Sequence, residues 1–274
     1  ALGIPLSVQL DLTYRCNERC IHCYLDHEDH GEMTTAEILG LLDQLAAAGV
    51  FFLNVSGGEI FIRPDLFTII EHARKLQFSV KLKTNGVMIR EAKARRIAAL
   101  GVEAVQISLY SHDAATHDKI TKLTGSFKRT VEGARLLRDA GVKVIFANVL
   151  MQQNADHYKQ VQALAAEMGI RYEVDATITP MMDGDRGIVA LNMDGGRLAA
   201  IMHDTTLLGD QAERLLAAPS GPTPLDEAYK TLPCSAGHTA CHVSPYGDVF
   251  PCVQFPFKVG NVREQAFIDI WKHS

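Results

Sequence analysis

The sequence lacks the features of membrane, exported and nucleic-acid-binding proteins. No apolar run approaches the roughly 20 residues that a membrane-spanning helix needs, and the first residues lack the basic start and cleavage site of a signal peptide. Lys and Arg number 27 against 32 Asp and Glu, so no basic excess is available for a phosphate backbone. We therefore expect no membrane attachment and no nucleic-acid partner.

Cysteine is also scarce, with six residues in a chain of 274. The missing signal peptide favours a cytoplasmic location, where thiols stay reduced and structural disulfides are rare. Clustered cysteines in such a chain are typical of metal sites. Because 47% of the residues are hydrophobic, the chain can bury a core of one large domain, with or without a small appendage.

A sequence pattern repeats along the first two thirds of the chain. Near positions 47, 99, 139 and 167, a Gly that ends a helix precedes an apolar, β-rich run. A fifth junction has Gln77 where Gly would stand, and Thr34 with Glu37 forms a capping-box pair before the first helix. With the N-terminal run "IPLSVQLDLT", the pattern predicts six strands that alternate with helices.

Strands that alternate with helices of this length indicate an α/β fold with a parallel sheet. Periodicity alone allows an open doubly wound sheet or a partial barrel. In both, functional groups collect at the carboxyl ends of the strands. The distinctive residues follow the strands there, and we expect them to converge on one mouth: the cysteine loop at 16–23, residues 56–59, residues 84–86, Ser108, Asn148 and Asp175.

The cysteine loop has the spacing Cys16-x3-Cys20-x2-Cys23. Three thiolates this close indicate a metal site. Zinc is one candidate, with a nearby histidine as fourth ligand; iron is the other. A cubane cluster held by three cysteines has one iron without a protein ligand, and that iron is available to a small molecule.

Together with "SGGE" at 56–59, this loop resembles the radical S-adenosylmethionine (SAM) superfamily over about residues 4–180. The resemblance implies a partial (β/α)6 TIM-like barrel. It also implies that Cys16, Cys20 and Cys23 hold a [4Fe-4S] cluster whose fourth iron is chelated by SAM. One electron from the cluster then cleaves SAM to methionine and a 5′-deoxyadenosyl radical, which abstracts a substrate hydrogen.

The resemblance also suggests cofactor-binding residues. Gly57 and Gly58 would let the backbone approach the cofactor, and Glu59 would accept hydrogen bonds from its ammonium. Ser108 matches a family serine near the ribose. Related enzymes have an arginine downstream of that serine that meets the cofactor carboxylate; this sequence has Thr121 and Lys122 instead, and Lys122 is the candidate for that contact. The alternative interpretations are a plain strand-to-helix turn for "SGGE" and a strand-end hydroxyl for Ser108. His22, at the family's aromatic position, is expected beside the adenine.

A second constellation lies near the C-terminus. Cys234 and Cys252 bracket Gly247, with Cys241 between them, and the pattern resembles a SPASM or twitch domain that carries an auxiliary iron-sulfur cluster. We expect all three cysteines to be ligands. The alternative is a zinc knuckle that adds His238. Since no further cysteine follows, the fourth position requires an open iron, a non-cysteine ligand or a cysteine outside this sequence.

These patterns predict three segments: a radical SAM core at 1–180, a helical and Pro-rich linker at 181–231 with a helix around 195–217, and a small C-terminal cysteine-rich extension at 232–274. We expect the extension to fold onto the open mouth of the barrel.

The predicted function is hydrogen abstraction from a peptide or protein substrate, in the maturation of a ribosomal peptide. The alternatives are maturation of a small molecule or tetrapyrrole, and a non-catalytic iron-sulfur or zinc scaffold, against which the intact "SGGE" argues. An external low-potential electron donor is required. No leader-peptide-binding segment is recognised before Ala1, so a peptide-binding chaperone, if required, is expected to be a separate chain. The sequence identifies no hydrogen donor or acceptor residue.

Overall fold

A computed structural model of the chain describes residues 3–208 and 234–273. Its strands form one sheet in the order β6-β5-β4-β3-β2-β1-β7-β8-β9. The strands are β1 (Ser7–Asp11), β2 (Phe52–Ser56), β3 (Ser79–Thr84), β4 (Ala104–Ser108), β5 (Val144–Val149), β6 (Arg171–Asp175), β7 (Ala240–Val243), β8 (Asp248–Phe250) and β9 (Gly260–Asn261).

Helices connect the strands, and the link between β4 and β5 contains two. The α-helices are α1 (Thr35–Ala47), α2 (Leu66–Lys75), α3 (Glu91–Leu100), α4 (Ala114–Thr121), α5 (Ser126–Asp139), α6 (Tyr158–Glu167), α7 (Gly195–Met202), α8 (Thr205–Leu208) and α9 (Phe267–His273). Short 3-10 helices cover Ile60–Ile62, Ala155–His157 and Gly187–Leu191. No described helix is long and apolar enough to cross a membrane.

The predicted alternation of strands and helices is confirmed. Strands β1 to β6 pair in parallel with their sequence neighbours, and β6 and β9 are the edges of the sheet, so the barrel is open. The capping box before α1 is present, since the Thr34 hydroxyl accepts from the Glu37 amide at 3.3 Å and the Glu37 carboxylate accepts from the Thr34 amide at 2.7 Å. Gln77 adopts the left-handed φ of 68° expected of a glycine at its junction.

The two faces of the sheet differ in chemistry. Val8, Leu10, Val80 and Leu82 are fully buried in the main apolar core, which includes residues of the covering helices. The alternate positions of the same strands point to the concave interior and are largely polar, as at Lys83. The apolar core therefore lies between the outer face of the sheet and the covering helices. The concave face is left polar and can form a binding site.

The C-terminal extension continues the sheet. Strand β7 pairs in parallel with β1, and the buried His242 and Asp11 side chains join the two strands at 3.0 Å. We expected the extension to fold onto the mouth; of its described residues, 234–273, only Val253 and Gln254 line the cavity described below. The cause is the pairing with β1, which places most of the extension beside the barrel.

The predicted helix around 195–217 is observed in part, as α7 and α8. Its remainder and the Pro-rich part of the predicted linker, at 209–231, lie outside the described residues.

Candidate active site

The mouth of the barrel contains a cavity of about 320 Å³, within the size range of small-molecule sites. The predicted convergence of strand-end residues is confirmed for most of the set. Glu59, Gly86 and Asn148 are the exceptions; the buried side-chain amide of Asn148 donates to the Tyr172 hydroxyl at 3.1 Å. The strand-end residues that line the cavity are Cys16, Cys20, Cys23, Ser56, Gly57, Gly58, Thr84, Asn85, Ser108 and Asp175.

Backbone hydrogen bonds to a neighbouring helix and one hydrogen bond within the loop hold the cysteine loop in place. The amide of Arg19 donates to the Thr121 carbonyl at 3.1 Å, and the amide of Ile21 donates to the Ile120 carbonyl at 3.0 Å, which ties the loop to the end of α4. The Glu18 amide donates to the Cys16 sulfur at 3.4 Å. All three thiols are free and line the same cavity.

The environment of these thiols matches the needs of an iron-sulfur cluster. Burial raises the pKa of the Cys16 thiol to about 12 and also raises the pKa of Cys23, so a nearby cation is needed to favour the thiolate. Among residues 3–208 and 234–273, no three Cys, His, Asp or Glu side chains converge as ligands of a single ion. Three thiols around a cavity, with no fourth cysteine among the described lining residues, fit a cluster with one open iron.

The two glycines of "SGGE" approach the backbone of residues 13–15, which lead into the cysteine loop. A Cβ on Gly57 would lie 2.2 Å from the Thr13 carbonyl oxygen, and one on Gly58 would lie 2.3 Å from the Arg15 carbonyl oxygen. Gly57 also has φ of 127°, a conformation that L residues rarely adopt. Both glycines line the cavity, but the contact that requires glycine is with the chain's own backbone.

Glu59 also differs from the expectation. Its side chain is fully buried and is not among the cavity-lining residues. The carboxylate accepts from the Phe61 amide at 3.0 Å, the Asn85 amide at 2.9 Å and the Thr84 hydroxyl at 2.8 Å. Burial raises the pKa of Glu59, and these hydrogen bonds oppose that rise. The geometry therefore makes Glu59 a positioning residue that joins the ends of β2 and β3.

Three further predicted residues divide between the cavity and the surface. Ser108 lines the cavity; burial raises the pKa of Tyr110, and a hydrogen bond with the Ser108 hydroxyl opposes that rise. His22 also lines the cavity, with its ring 4.8 Å from that of Tyr110. Lys122 is exposed and lies outside the cavity; it follows α4 as its C-cap, in a left-handed conformation with φ of 54°. This position does not support its assignment to the cofactor carboxylate, which stays a prediction.

The second cysteine set is not gathered like the first. Cys234 is exposed, Cys252 is half-buried, and Cys241 is 6% exposed within the main apolar core. Cys241 lies opposite Val8 in the β1–β7 register, so it belongs to the helix-facing side of the sheet. Burial raises the pKa of Cys241 to about 12. This placement favours the role of a small core residue for Cys241 over the predicted role of cluster ligand.

Several cavity residues escaped the sequence reasoning. Gln9, Lys83 and Gln106 line the interior from β1, β3 and β4. The sequence contains a signal for these residues, because polar residues alternate with apolar ones in "SVQLD", "SVKLKT" and "AVQIS". This alternation indicates that the polar residues face away from the apolar core. Glu18 also lines the cavity; burial raises its pKa to about 7, and its Oε1 atom has no partner among the described residues.

Comparison with known proteins agrees with this geometry. Residues 10–165 match the family described as the Radical SAM superfamily, and residues 234–274 match the SPASM iron-sulfur cluster-binding domain. The fold and the site define an iron-sulfur enzyme built on an open parallel barrel. The chain belongs to the radical SAM superfamily.

Two curated relatives cover nearly the whole chain. The AdoMet-dependent heme synthase of Methanosarcina barkeri is 30% identical over 98% of this chain and 83% of its own length. The PqqA peptide cyclase of Xanthomonas campestris pv. campestris is 32% identical over 98% of this chain and 74% of its own length. The two names show that similar chains serve different substrates.

Among solved structures, Streptococcus suis SuiB bound to S-adenosylmethionine has a TM-score of 0.74 and 19% identity. The match covers 98% of this chain, and this chain spans 64% of SuiB, slightly less than two thirds of its length. A second SuiB structure contains the precursor peptide SuiA. At this identity the likeness shows the shared fold.

The chain is therefore a radical SAM enzyme. Its cofactors are S-adenosylmethionine, the [4Fe-4S] cluster of the core and an auxiliary iron-sulfur cluster of the SPASM domain. When bound, the core cluster and S-adenosylmethionine supply a 5′-deoxyadenosyl radical that abstracts hydrogen.

Proposed function

We propose that this chain abstracts a hydrogen atom from a peptide or protein side chain during the maturation of a ribosomal peptide. The observation that carries the proposal is the shared cavity, in which Cys16, Cys20 and Cys23 face the polar barrel interior lined by Gln9 and Lys83. A substrate in that interior would meet the radical source directly. The peptide class is supported by the PqqA peptide cyclase and by SuiB with its precursor peptide.

We assign the residues as follows. Cys16, Cys20 and Cys23 hold the core cluster, and the Gly57–Gly58 backbone and Ser108 contact the cofactor. The carbonyl groups of both glycines support this, since no described residue donates a hydrogen bond to them. Glu59 keeps this turn beside the end of β3.

For the auxiliary cluster we propose Cys234 and Cys252, with other ligands still to be identified. We keep the core at 1–180, the linker at 181–231 and the extension at 232–274 as proposed boundaries; the separate family matches at 10–165 and 234–274 support them. An external low-potential donor would reduce the core cluster, and a separate peptide-binding chain is a further proposed partner. The cytoplasmic location remains a prediction from the sequence.

The test is an anaerobic reaction of the reconstituted enzyme with S-adenosylmethionine, dithionite and short peptides encoded beside its gene. We expect 5′-deoxyadenosine to form and one of these peptides to change in mass. Cofactor cleavage with every such peptide unmodified would contradict the peptide assignment while leaving the radical chemistry intact.

The second candidate is maturation of a tetrapyrrole, which the heme synthase relative favours. The same assay with a propionate-bearing porphyrin precursor separates the two candidates. Mass loss from the tetrapyrrole, with peptides untouched, would select the second.

A further inference from the structure

We propose that Lys83 anchors a carboxylate of the peptide substrate inside the barrel, either an Asp or Glu side chain or the C-terminal carboxylate. This inference rests on the peptide function proposed above and adds the chemical class of the group that is recognised. It also assigns a role to an interior residue that the cysteine motifs do not explain.

Lys83 is placed to meet a group that enters the interior. It lies in β3 opposite Gln106 of β4, and both residues line the cavity. Its ammonium donates one hydrogen bond, to the Gln9 side-chain oxygen at 3.0 Å. An ammonium has three donors, so two remain for a ligand.

The carboxylate of Asp11 is near Lys83 but is already engaged. It accepts hydrogen bonds from the buried His242 ring at 3.0 Å and from the side-chain amide of Gln9 at 3.2 Å. Within residues 3–208 and 234–273, no carboxylate lies within 4.0 Å of the Lys83 ammonium as an ion pair would require.

The two acidic residues of β6 are engaged in a similar way. The Glu173 carboxylate accepts a hydrogen bond from the side-chain amide of Gln106 at 3.1 Å and forms an ion pair with Arg171 at 3.1 Å. Asp175 accepts from the Thr177 amide at 3.0 Å. These carboxylates compensate the Lys83 charge at a distance without binding it.

An unpaired ammonium in this position is costly. Burial lowers the pKa of Lys83, although Asp11 and the β6 carboxylates oppose that shift. Among the described residues, Lys83 is the one Lys or Arg that lines the cavity. A substrate carboxylate would give the ammonium a partner and would itself be recognised by its charge.

The chain offers a matched control. Lys81 lies two residues earlier on the same strand and the same half-buried face, and it is absent from the cavity wall. Lys83→Met keeps most of the side-chain volume and removes the charge, Lys83→Arg restores a cation, and Lys81→Met removes a nearby charge outside the cavity.

The experiment uses reconstituted enzyme saturated with S-adenosylmethionine. Positional-scanning libraries of acetylated octapeptides, with either amidated or free C-termini, are selected for binding to the wild type and the three variants. We expect the wild type and Lys81→Met to enrich carboxylate-bearing peptides. We expect Lys83→Met to bind the selected peptides roughly ten- to a hundredfold more weakly and Lys83→Arg to recover part of this loss.

Each other outcome overturns the inference in a recognisable way. Enrichment of peptides without any carboxylate preference, or the same preference in Lys83→Met, removes the role of Lys83 while leaving the peptide function. No enrichment of any peptide contradicts the peptide function as well. Equilibrium titration of S-adenosylmethionine tests whether Lys83 binds the carboxylate of the cofactor instead of one of the peptide. A tenfold loss of cofactor affinity in Lys83→Met, but not in Lys81→Met, would assign Lys83 to the cofactor.

Discussion

The two cysteine sets of this protein contain three thiols each, but only the first set is brought together at one cavity among the described residues. The first set occupies one loop after β1, and all its thiols face one cavity. The second set is distributed around β7 and β8, and the strand turns Cys241 into the apolar core. Three cysteines on one short loop can share a site without help from strand geometry. Cysteines separated by a strand depend on which face that strand presents to the core.

The loops also differ in their support. The turn after β2 holds the first loop through the Gly58 amide, which donates to the Thr13 carbonyl at 2.7 Å, and the Glu59 amide, which donates to the Arg15 carbonyl at 3.0 Å. The Asn85 side chain donates to Asn17 at 2.7 Å. Around Cys252, the Gln254 amide donates to its sulfur at 3.4 Å. The first site is thus joined to neighbouring strand ends, and its function should be sensitive to changes in them.

The largest expected effect is on catalysis. Replacing Cys16, Cys20 and Cys23 together by Ala should abolish formation of 5′-deoxyadenosine, because the core cluster cannot assemble. Chromatographic measurement of the product under anaerobic, reducing conditions tests this. Cys241→Val is the matched cysteine control and should retain cleavage; undiminished cleavage in the triple variant would contradict the assignment of the first set.

The second prediction separates ligands from core residues in the second set. In the triple variant, the auxiliary iron-sulfur cluster should remain, and adding Cys234→Ala with Cys252→Ala should remove it. Adding Cys241→Val instead should leave it, because Cys241 packs in the core. Iron and sulfide content with Mössbauer spectra gives the measurement. Loss of the cluster on Cys241→Val alone would restore Cys241 as a ligand, and zinc in place of iron would favour the knuckle.

The third prediction tests the support of the first loop. Gly57→Ala or Gly58→Ala should reduce the free energy of unfolding by about 1–3 kcal/mol and reduce cofactor cleavage, because each new Cβ meets the backbone of residues 13–15, directly before the cysteine loop. Urea unfolding and product formation are the measurements. Gly40→Ala is the control, since a Cβ there has nothing within 4 Å. Wild-type stability and activity in both turn variants would show that the loop yields easily.

The smallest effect on cofactor chemistry is expected for Glu59. Glu59→Ala removes the acceptor for two buried amides and should cost about 1–3 kcal/mol of stability, with less than about a tenfold loss of cofactor affinity. Glu59→Gln keeps one acceptor and should recover part of the stability. Unfolding curves and equilibrium titration are compared. A loss of cofactor affinity of more than about tenfold at unchanged stability would indicate direct contact with the cofactor.

Much of the fold was predictable from local signals. The glycine junctions and the capping box of Thr34 and Glu37 define where helices end and begin, and even Gln77 takes the conformation that its position in the pattern implies. The location of Ser108 and Asp175 at one mouth followed from parallel strands alone. Lys122 could not be placed this way, because its exposure depends on where α4 ends relative to the barrel.

The sequence by itself determined the alternation of strands and helices, the spacing of the first cysteine set and the glycines beside it, since these are properties of neighbouring residues. Tertiary structure decided which partner each group meets. Gly57 and Gly58 meet the backbone of residues 13–15, Glu59 reaches the end of β3, and Cys241 enters the core because β7 pairs with β1. Local sequence specifies that successive strand residues face opposite sides, but only the packing of distant elements determines which side is buried.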